Sequence, residues 1–136
     1  MSEALAQYRR ALELKPAYAE AHVNAGNASL ALERPADAIA HYEKAIALDP
    51  ALGDAHFNLG SALLDLERWA AAIPHFEAVL RLDAANVPAR RALGFAFAKT
   101  GRTAEAETQL ELYLRAVPND AATRAALAEL RARGVR

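Results

Sequence analysis

The sequence predicts an all-α protein, built as a solenoid of eight helices, and three observations lead to this fold class. The first is a period of 34 residues: when residues 19–52 are laid over residues 53–86, 17 of the 34 positions are identical. The second is that apolar residues recur three and four positions apart, which is helical spacing. The third is that glycine and proline lie mostly at the joints between these stretches. Such a period is typical of repeats that bury their apolar faces only against their neighbours.

Each period predicts two helices joined by a short turn. In the first full period, Val23 and Leu30 lie on the first helix, and Ala38 and Ile46 lie on the second. Between them, Pro35 suits the first turn of the second helix, where its missing N–H would have no partner. The repeated unit is therefore a hairpin of two helices of about 13 residues each. The first residue of each period is place 1, so that Val23 is at place 5.

The elements follow one another in a fixed order. Residues preceding the first full period match only a second helix, and those after the last match only a first helix. The first of these helices has no preceding partner, so we expect either an unpaired apolar face that contains Leu5 and Tyr8 or another part of the protein that covers this face. We expect one domain over 1–136, made of a partial repeat at 1–18, full repeats at 19–52, 53–86 and 87–120, and a terminal helix at 121–136.

Pro74 interrupts the predicted second helix of the middle repeat. It lies five residues after Trp69 and cannot donate a hydrogen bond to the carbonyl of Ala70. We therefore expect either a local bend or a late start of this helix.

Small residues recur at two places and a large residue at a third. Glycine inside a helix lowers stability by about 1 kcal/mol relative to alanine, so its recurrence at place 8 needs a reason. We expect each glycine to face the alanine at place 20, with the large residue at place 24 filling space further along. The glycines are Gly26, Gly60 and Gly94, the alanines are Ala38, Ala72 and Ala106, and the large residues are Tyr42, Phe76 and Leu110.

This combination resembles the tetratricopeptide repeat (TPR) family, and the resemblance covers almost the whole chain. It rests on Leu-Gly at places 7 and 8 of two repeats, alanine at place 20, an aromatic at place 24 and proline at place 32. The chain departs from the family pattern at Ala25, Ala84, Val79 and Tyr113. The resemblance implies a right-handed TPR superhelix with three full repeats and a half repeat at each end.

The resemblance also implies a binding site, because in this family the first helices of successive repeats line a concave groove. Asn24 and Asn58 occupy the same place in successive repeats, and an amide side chain can both donate to and accept from an extended peptide backbone. A carboxylate clamp for chaperone tails is not expected, because its basic places hold Val23, Pro88 and Ala92. The peptide-binding groove is predicted to contain Asn24, Asn27, Asp54, Phe57, Asn58, Ser61, Arg91, Phe95 and Lys99.

Composition and motifs argue against other classes of function. A net charge of −1 argues against a nucleic-acid-binding surface, no apolar run could span a membrane, and the first residues do not resemble a secretory signal. The sequence has no cysteine, phosphate loop or nucleophile elbow. We predict no catalytic residue, no cofactor, no metal and a cytoplasmic location. The histidines recur one repeat apart, as duplication produces: His22 with His56, and His41 with His75.

The sequence therefore predicts a non-catalytic scaffold for protein–protein interaction, which binds an extended peptide or a partner helix in the groove. Its partner is a protein or peptide, with no nucleic acid and no membrane. Two alternatives stay open at this point. One is a structural unit that self-associates through its terminal half-repeats, and the other is the targeting domain of a larger enzyme such as a glycosyltransferase.

Overall fold

The computed structural model describes residues 3–7 and 18–134, and it confirms the all-α class. Eight helical segments and no strand occur in this part of the chain. None of these helices is long and apolar enough to cross a membrane. The segments are α1 (described over residues 3–7), α2 (Ala19–Ala31), α3 (Pro35–Leu48), α4 (Gly53–Asp65), α5 (Trp69–Leu82), α6 (Val87–Lys99), α7 (Thr103–Ala116) and α8 (Ala121–Gly134).

The chain divides into two compact halves, Met1–Leu66 and Glu67–Arg136. In the N-terminal half, α2 packs against α3 and α3 against α4. In the C-terminal half, α5 packs against α6, α6 against α7 and α7 against α8. Each half is thus held together by helices that are neighbours in sequence, as expected for a repeat protein. The grouping of all repeats into one domain stays a prediction.

The turn inside each repeat has the same backbone conformation. The second of its three residues is left-handed in all three repeats: Glu33 and Glu67 have φ 58° and Gly101 has φ 79°. In the first repeat, Arg34 N donates to Ser29 O and Glu33 N to Leu30 O, each at 2.9 Å, which is the Schellman closure of a helix. This closure ends the first helix and sends the chain into the second.

The large residue at place 24 forms the centre of each repeat, as predicted. Tyr42, Phe76 and Leu110 are each 0% exposed. The atoms nearest to the glycine belong to this large residue, and the expected contact between glycine and alanine stays a prediction. A Cβ added at Gly26 would lie 2.5 Å from Cε1 of Tyr42, and one added at Gly94 would lie 2.5 Å from Cδ2 of Leu110. The glycine makes room for the large residue at place 24, because a bulky group needs a neighbour without a side chain.

The apolar face of the N-terminal helix is covered at Leu5, which is one of the two outcomes expected for this helix. Leu5 is 3% exposed and forms a cluster with Ala25 and Ala28 of α2. The following helix therefore supplies the cover that a preceding one would give. Tyr8 lies outside the described residues.

Around Pro74 the sequence predicts either a local bend or a late start of the helix, and the late start does not occur. Helix α5 begins at Trp69 and continues through Pro74 to Leu82. Pro74 is exposed, so water can reach the backbone on this side of the helix and bond the carbonyl that proline leaves without a donor. A local bend stays a prediction.

Candidate functional site

In the N-terminal half, two asparagines from successive first helices are joined directly. Asn27 lies on α2 and Asn58 on α4, and Asn58 Nδ2 donates to Asn27 Oδ1 at 3.2 Å. The same oxygen accepts a second bond from the hydroxyl of Tyr42 on α3, at 2.6 Å. Three helices therefore meet at one amide oxygen.

The two hydrogen bonds that Oδ1 of Asn27 accepts determine which polar groups the asparagine pair can offer to a ligand. Both donors fix the orientation of the amide, so that Nδ2 of Asn27 points away from them. Within the described residues, neither Nδ2 of Asn27 nor Oδ1 of Asn58 takes part in a hydrogen bond. One donor group and one acceptor are thus presented side by side, which matches the alternating groups of an extended backbone.

The other predicted site residues of the N-terminal half lie on the same two helices as the asparagine pair, α2 and α4. Asn24 and Asp54 are exposed, and Phe57 and Ser61 are half-buried. The bonded pair is Asn27 with Asn58, and Asn27 lies about one turn along α2 from the predicted Asn24. Tyr42, which orients the pair, was not among the predicted site residues.

In the C-terminal half, Arg91 links α6 to the start of α8. Its Nε donates to Asp120 Oδ2 at 3.2 Å and to Thr123 Oγ1 at 3.0 Å. Its guanidinium lies 4.7 Å from the ring centroid of Phe95, one turn along α6. Arg91 is thus held by its neighbours, and Phe95 has a cation over its ring.

Asp120 is the acceptor at the centre of this cluster. It accepts from the hydroxyl of Tyr113 at 2.7 Å, and from the backbone N–H and hydroxyl of Thr123 at 3.1 and 2.9 Å. These bonds cap the N-terminus of α8. The Tyr113 hydroxyl first, and then the bonds from Thr123 and Arg91, hold the pKa of Asp120 well below its ordinary value of 3.8.

This lowered pKa predicts a loss of stability in acid. Because the folded state binds the proton of Asp120 less tightly than the unfolded state, the contribution is complete above about pH 5 and is lost as the pH falls through about 4 and below. We expect Asp120→Asn to lower the melting temperature at pH 7 and to flatten its decrease between pH 5 and 2. Thermal denaturation across this range checks both effects. Equal slopes for the two proteins would contradict the assignment, and Tyr113→Phe should give an intermediate slope.

A cavity of about 230 Å³ lies between α6 and α8. It contains two of the predicted groove residues, Phe95 and Lys99. The Nζ of Lys99 also lies 5.5 Å from the ring centroid of Trp69. The complete lining is Phe95, Ala98, Lys99, Leu110, Ala126, Glu129, Leu130 and Arg133.

Half of this lining comes from α8, which the prediction left out of the groove. Ala126, Glu129 and Arg133 stand at places 6, 9 and 13 of the terminal half-repeat. The predicted groove residues Asn24, Asn27 and Lys99 stand at the same three places of their own repeats. The signal was therefore present, and extending the same places to the terminal helix would have found these residues.

The part of the chain that the structure describes contains no group of three or more histidine, cysteine, aspartate or glutamate side chains that could hold a metal ion. His22 and His41 approach each other across one hairpin, with their Nδ1 atoms 3.4 Å apart. His56 donates from Nε2 to the carbonyl of Pro50 at 2.9 Å, since a carbonyl can only accept. The first contact joins α2 to α3, and the second joins α4 to the turn that precedes it.

Comparisons with known proteins agree with the repeat. A family model described as "Tetratricopeptide repeat" matches residues 63–130. A second, described as "TPR repeat", matches residues 1–32 and 30–67. A search among curated proteins gave no match.

Solved structures resemble the fold closely. The protein YrrB, described as a TPR protein with an unusual peptide-binding site, has a TM-score of 0.91 and 29% identity, covering 98% of this chain and 69% of its own. MamA from Desulfovibrio magneticus has a TM-score of 0.87 and 21% identity, with coverage of 98% and 75%. The first TPR of Spaghetti (RPAP3), bound to an HSP90 peptide, has a TM-score of 0.77 and 22% identity, with coverage of 87% and 94%.

Proposed function

The chain belongs to the tetratricopeptide repeat family, and we propose that it is a non-catalytic protein-interaction scaffold that binds an extended peptide through the first helices of its repeats. The observation that carries the proposal is the amide pair of Asn27 and Asn58, oriented by the buried Tyr42. The described peptide-binding site of YrrB, at 29% identity, supports a peptide ligand. The predicted cytoplasmic location remains part of the proposal.

The binding mechanism follows from the amide chemistry. The Nδ2 group of Asn27 would donate to a peptide carbonyl, and Oδ1 of Asn58 would accept from a peptide N–H. Because Tyr42 is 0% exposed and bonds Asn27 at 2.6 Å, the acceptor side of the Asn27 amide is held before the ligand arrives. Preorganisation of this kind lowers the entropy lost on binding.

A chaperone-tail ligand is not part of the proposal. Val23 stands at one of the basic places of the carboxylate clamp and is buried in α2, so it cannot pair with a carboxylate. We therefore do not propose the HSP90 peptide that RPAP3 binds as a ligand of this chain. Self-association through terminal helices loses one of its supports, because Leu5 is covered by α2.

The test is binding of peptides selected from a random library displayed on phage, with the full chain as bait. We expect Asn58→Ala to lower the affinity for the selected peptides about tenfold, since it removes one to two hydrogen bonds. Fluorescence polarisation with a labelled peptide measures the affinity, and a thermal melt checks that the variant is folded.

Asn119→Ala is the matched control, because Asn119 is exposed in the loop before α8. It should leave the affinity unchanged. If no peptide is selected, or if Asn58→Ala and Asn119→Ala behave alike, peptide binding at the amide pair is refuted.

A further inference from the structure

We propose that the cavity between α6 and α8 takes one branched apolar side chain of the bound peptide, and that Lys99 pairs with a carboxylate beside that side chain. This inference rests on the proposed peptide-binding function and specifies the class of ligand. The partner is therefore a peptide in which an apolar anchor adjoins an acidic group.

The size of the cavity limits what can enter it. Its volume of about 230 Å³ is below the roughly 300–1,000 Å³ of sites for small organic ligands, so a single side chain is a better match. The space exists because two of the lining residues, Ala98 on α6 and Ala126 on α8, have short side chains. A longer side chain at either position would occupy it.

The walls of the cavity are mostly apolar. Leu110 and Leu130 form its buried part, with 0% and 5% exposure, and Phe95 contributes a half-buried ring. Arg91 covers that ring through its guanidinium and is itself bonded to Asp120 and Thr123. The wall is thus fixed before binding, which favours an apolar group of complementary shape.

The charges at the rim determine the polarity of the ligand. Arg133 is paired with Glu129 at 2.5 Å, so its charge is balanced on α8. Lys99 instead lies against the ring of Trp69, and within the described residues no carboxylate forms an ion pair with it. The exposed ammonium of Lys99 is therefore the rim charge that a ligand carboxylate can complement.

The charge of the surrounding sequence points in the same direction. Residues 69–136 contain 10 Lys and Arg but 7 Asp and Glu, whereas residues 1–68 contain 6 and 10. An acidic ligand group is thus attracted to the C-terminal half and repelled by the N-terminal half.

The experiment uses the same phage library on the full chain and on four variants. Ala126→Leu fills the cavity, and Ala125→Leu is its matched control, because Ala125 is the exposed neighbour on α8 that does not line the cavity. Lys99→Glu reverses the rim charge, and Lys44→Glu makes the same change at an exposed lysine of α3.

We expect the unmodified chain to select peptides with Leu, Ile or Val next to Asp or Glu. Ala126→Leu should weaken these peptides at least about tenfold, corresponding to loss of one buried aliphatic side chain. Lys99→Glu should change the selected neighbour from acidic to basic. The two control variants should select the same peptides as the unmodified chain.

Two results separate this inference from the proposed function. If selected peptides depend on Asn58 but are unaffected by Ala126→Leu and Lys99→Glu, peptide binding stands and the anchor assignment is overturned. If no peptide is selected at all, both are overturned. A thermal melt of each variant excludes unfolding as the cause of lost binding.

Discussion

Replacing Tyr42 by alanine is expected to lower the free energy of unfolding by about 3–5 kcal/mol, as large-to-small changes of buried aromatics do. Tyr42 is fully buried at place 24, and its ring occupies the space beside Gly26. Truncation would leave a cavity between α2 and α3 and remove a donor to Asn27. Urea denaturation followed by circular dichroism measures the change.

Tyr42→Phe is the matched control, because it keeps the ring and removes only the hydroxyl. We expect it to lower stability by about 0.5–1.5 kcal/mol, the usual net contribution of one hydrogen bond. It should also weaken peptide binding, since Asn27 then has only Asn58 to orient it. If the phenylalanine and alanine variants were equally unstable, the ring would not be the element that fills the repeat.

Because Tyr42 is buried, its contribution to the stability of the fold should also depend on pH in the alkaline range. Burial raises the pKa of Tyr42 from 10.0 to about 12. The unfolded state therefore loses the hydroxyl proton first, so the contribution to stability is complete below about pH 10 and is lost as the pH rises through about 12. Tyr42→Phe should lack this decrease.

Gly26→Ala is the second substitution for which we expect a large effect on stability. Helix propensity alone would predict stabilisation, but we expect the opposite. Alanine would favour α2 by about 1 kcal/mol on propensity alone. Its Cβ, however, would lie 2.5–2.9 Å from three ring atoms of Tyr42, and overpacking of this kind typically lowers stability by about 1–3 kcal/mol. We expect net destabilisation, measured by the same denaturation.

Gly134→Ala provides the control for the backbone effect. The nearest atom to a Cβ at Gly134 is an oxygen of Glu107 at 3.7 Å, so no overlap arises at the end of α8. We expect this variant to be as stable as the parent or slightly more so. The double variant Gly26→Ala with Tyr42→Ala should lose less stability than the two single changes together, because the ring that clashes is absent. Strict additivity would show that Gly26 and Tyr42 do not interact.

The sequence alone determined the repeat, the order of the helices and the residues at the centre of each hairpin. The period could be read directly, because each repeat meets similar neighbours and so needs similar residues at the same place. Burial of Tyr42, Phe76 and Leu110 follows from helical spacing for the same reason. Such periodicity identifies the face of a helix on which a residue lies.

Periodicity does not identify which atoms meet across that face, and the tertiary structure decided this. The atoms nearest to Gly26 belong to the ring of Tyr42, because a long side chain reaches beyond its own level on the helix. Leu5 is covered by α2, and Asn27 is oriented by a hydroxyl from a different helix. The cavity beside Lys99 likewise depends on α8 being packed against α7. Each of these contacts depends on interhelical distance and rotamer, which a pattern along one chain does not encode.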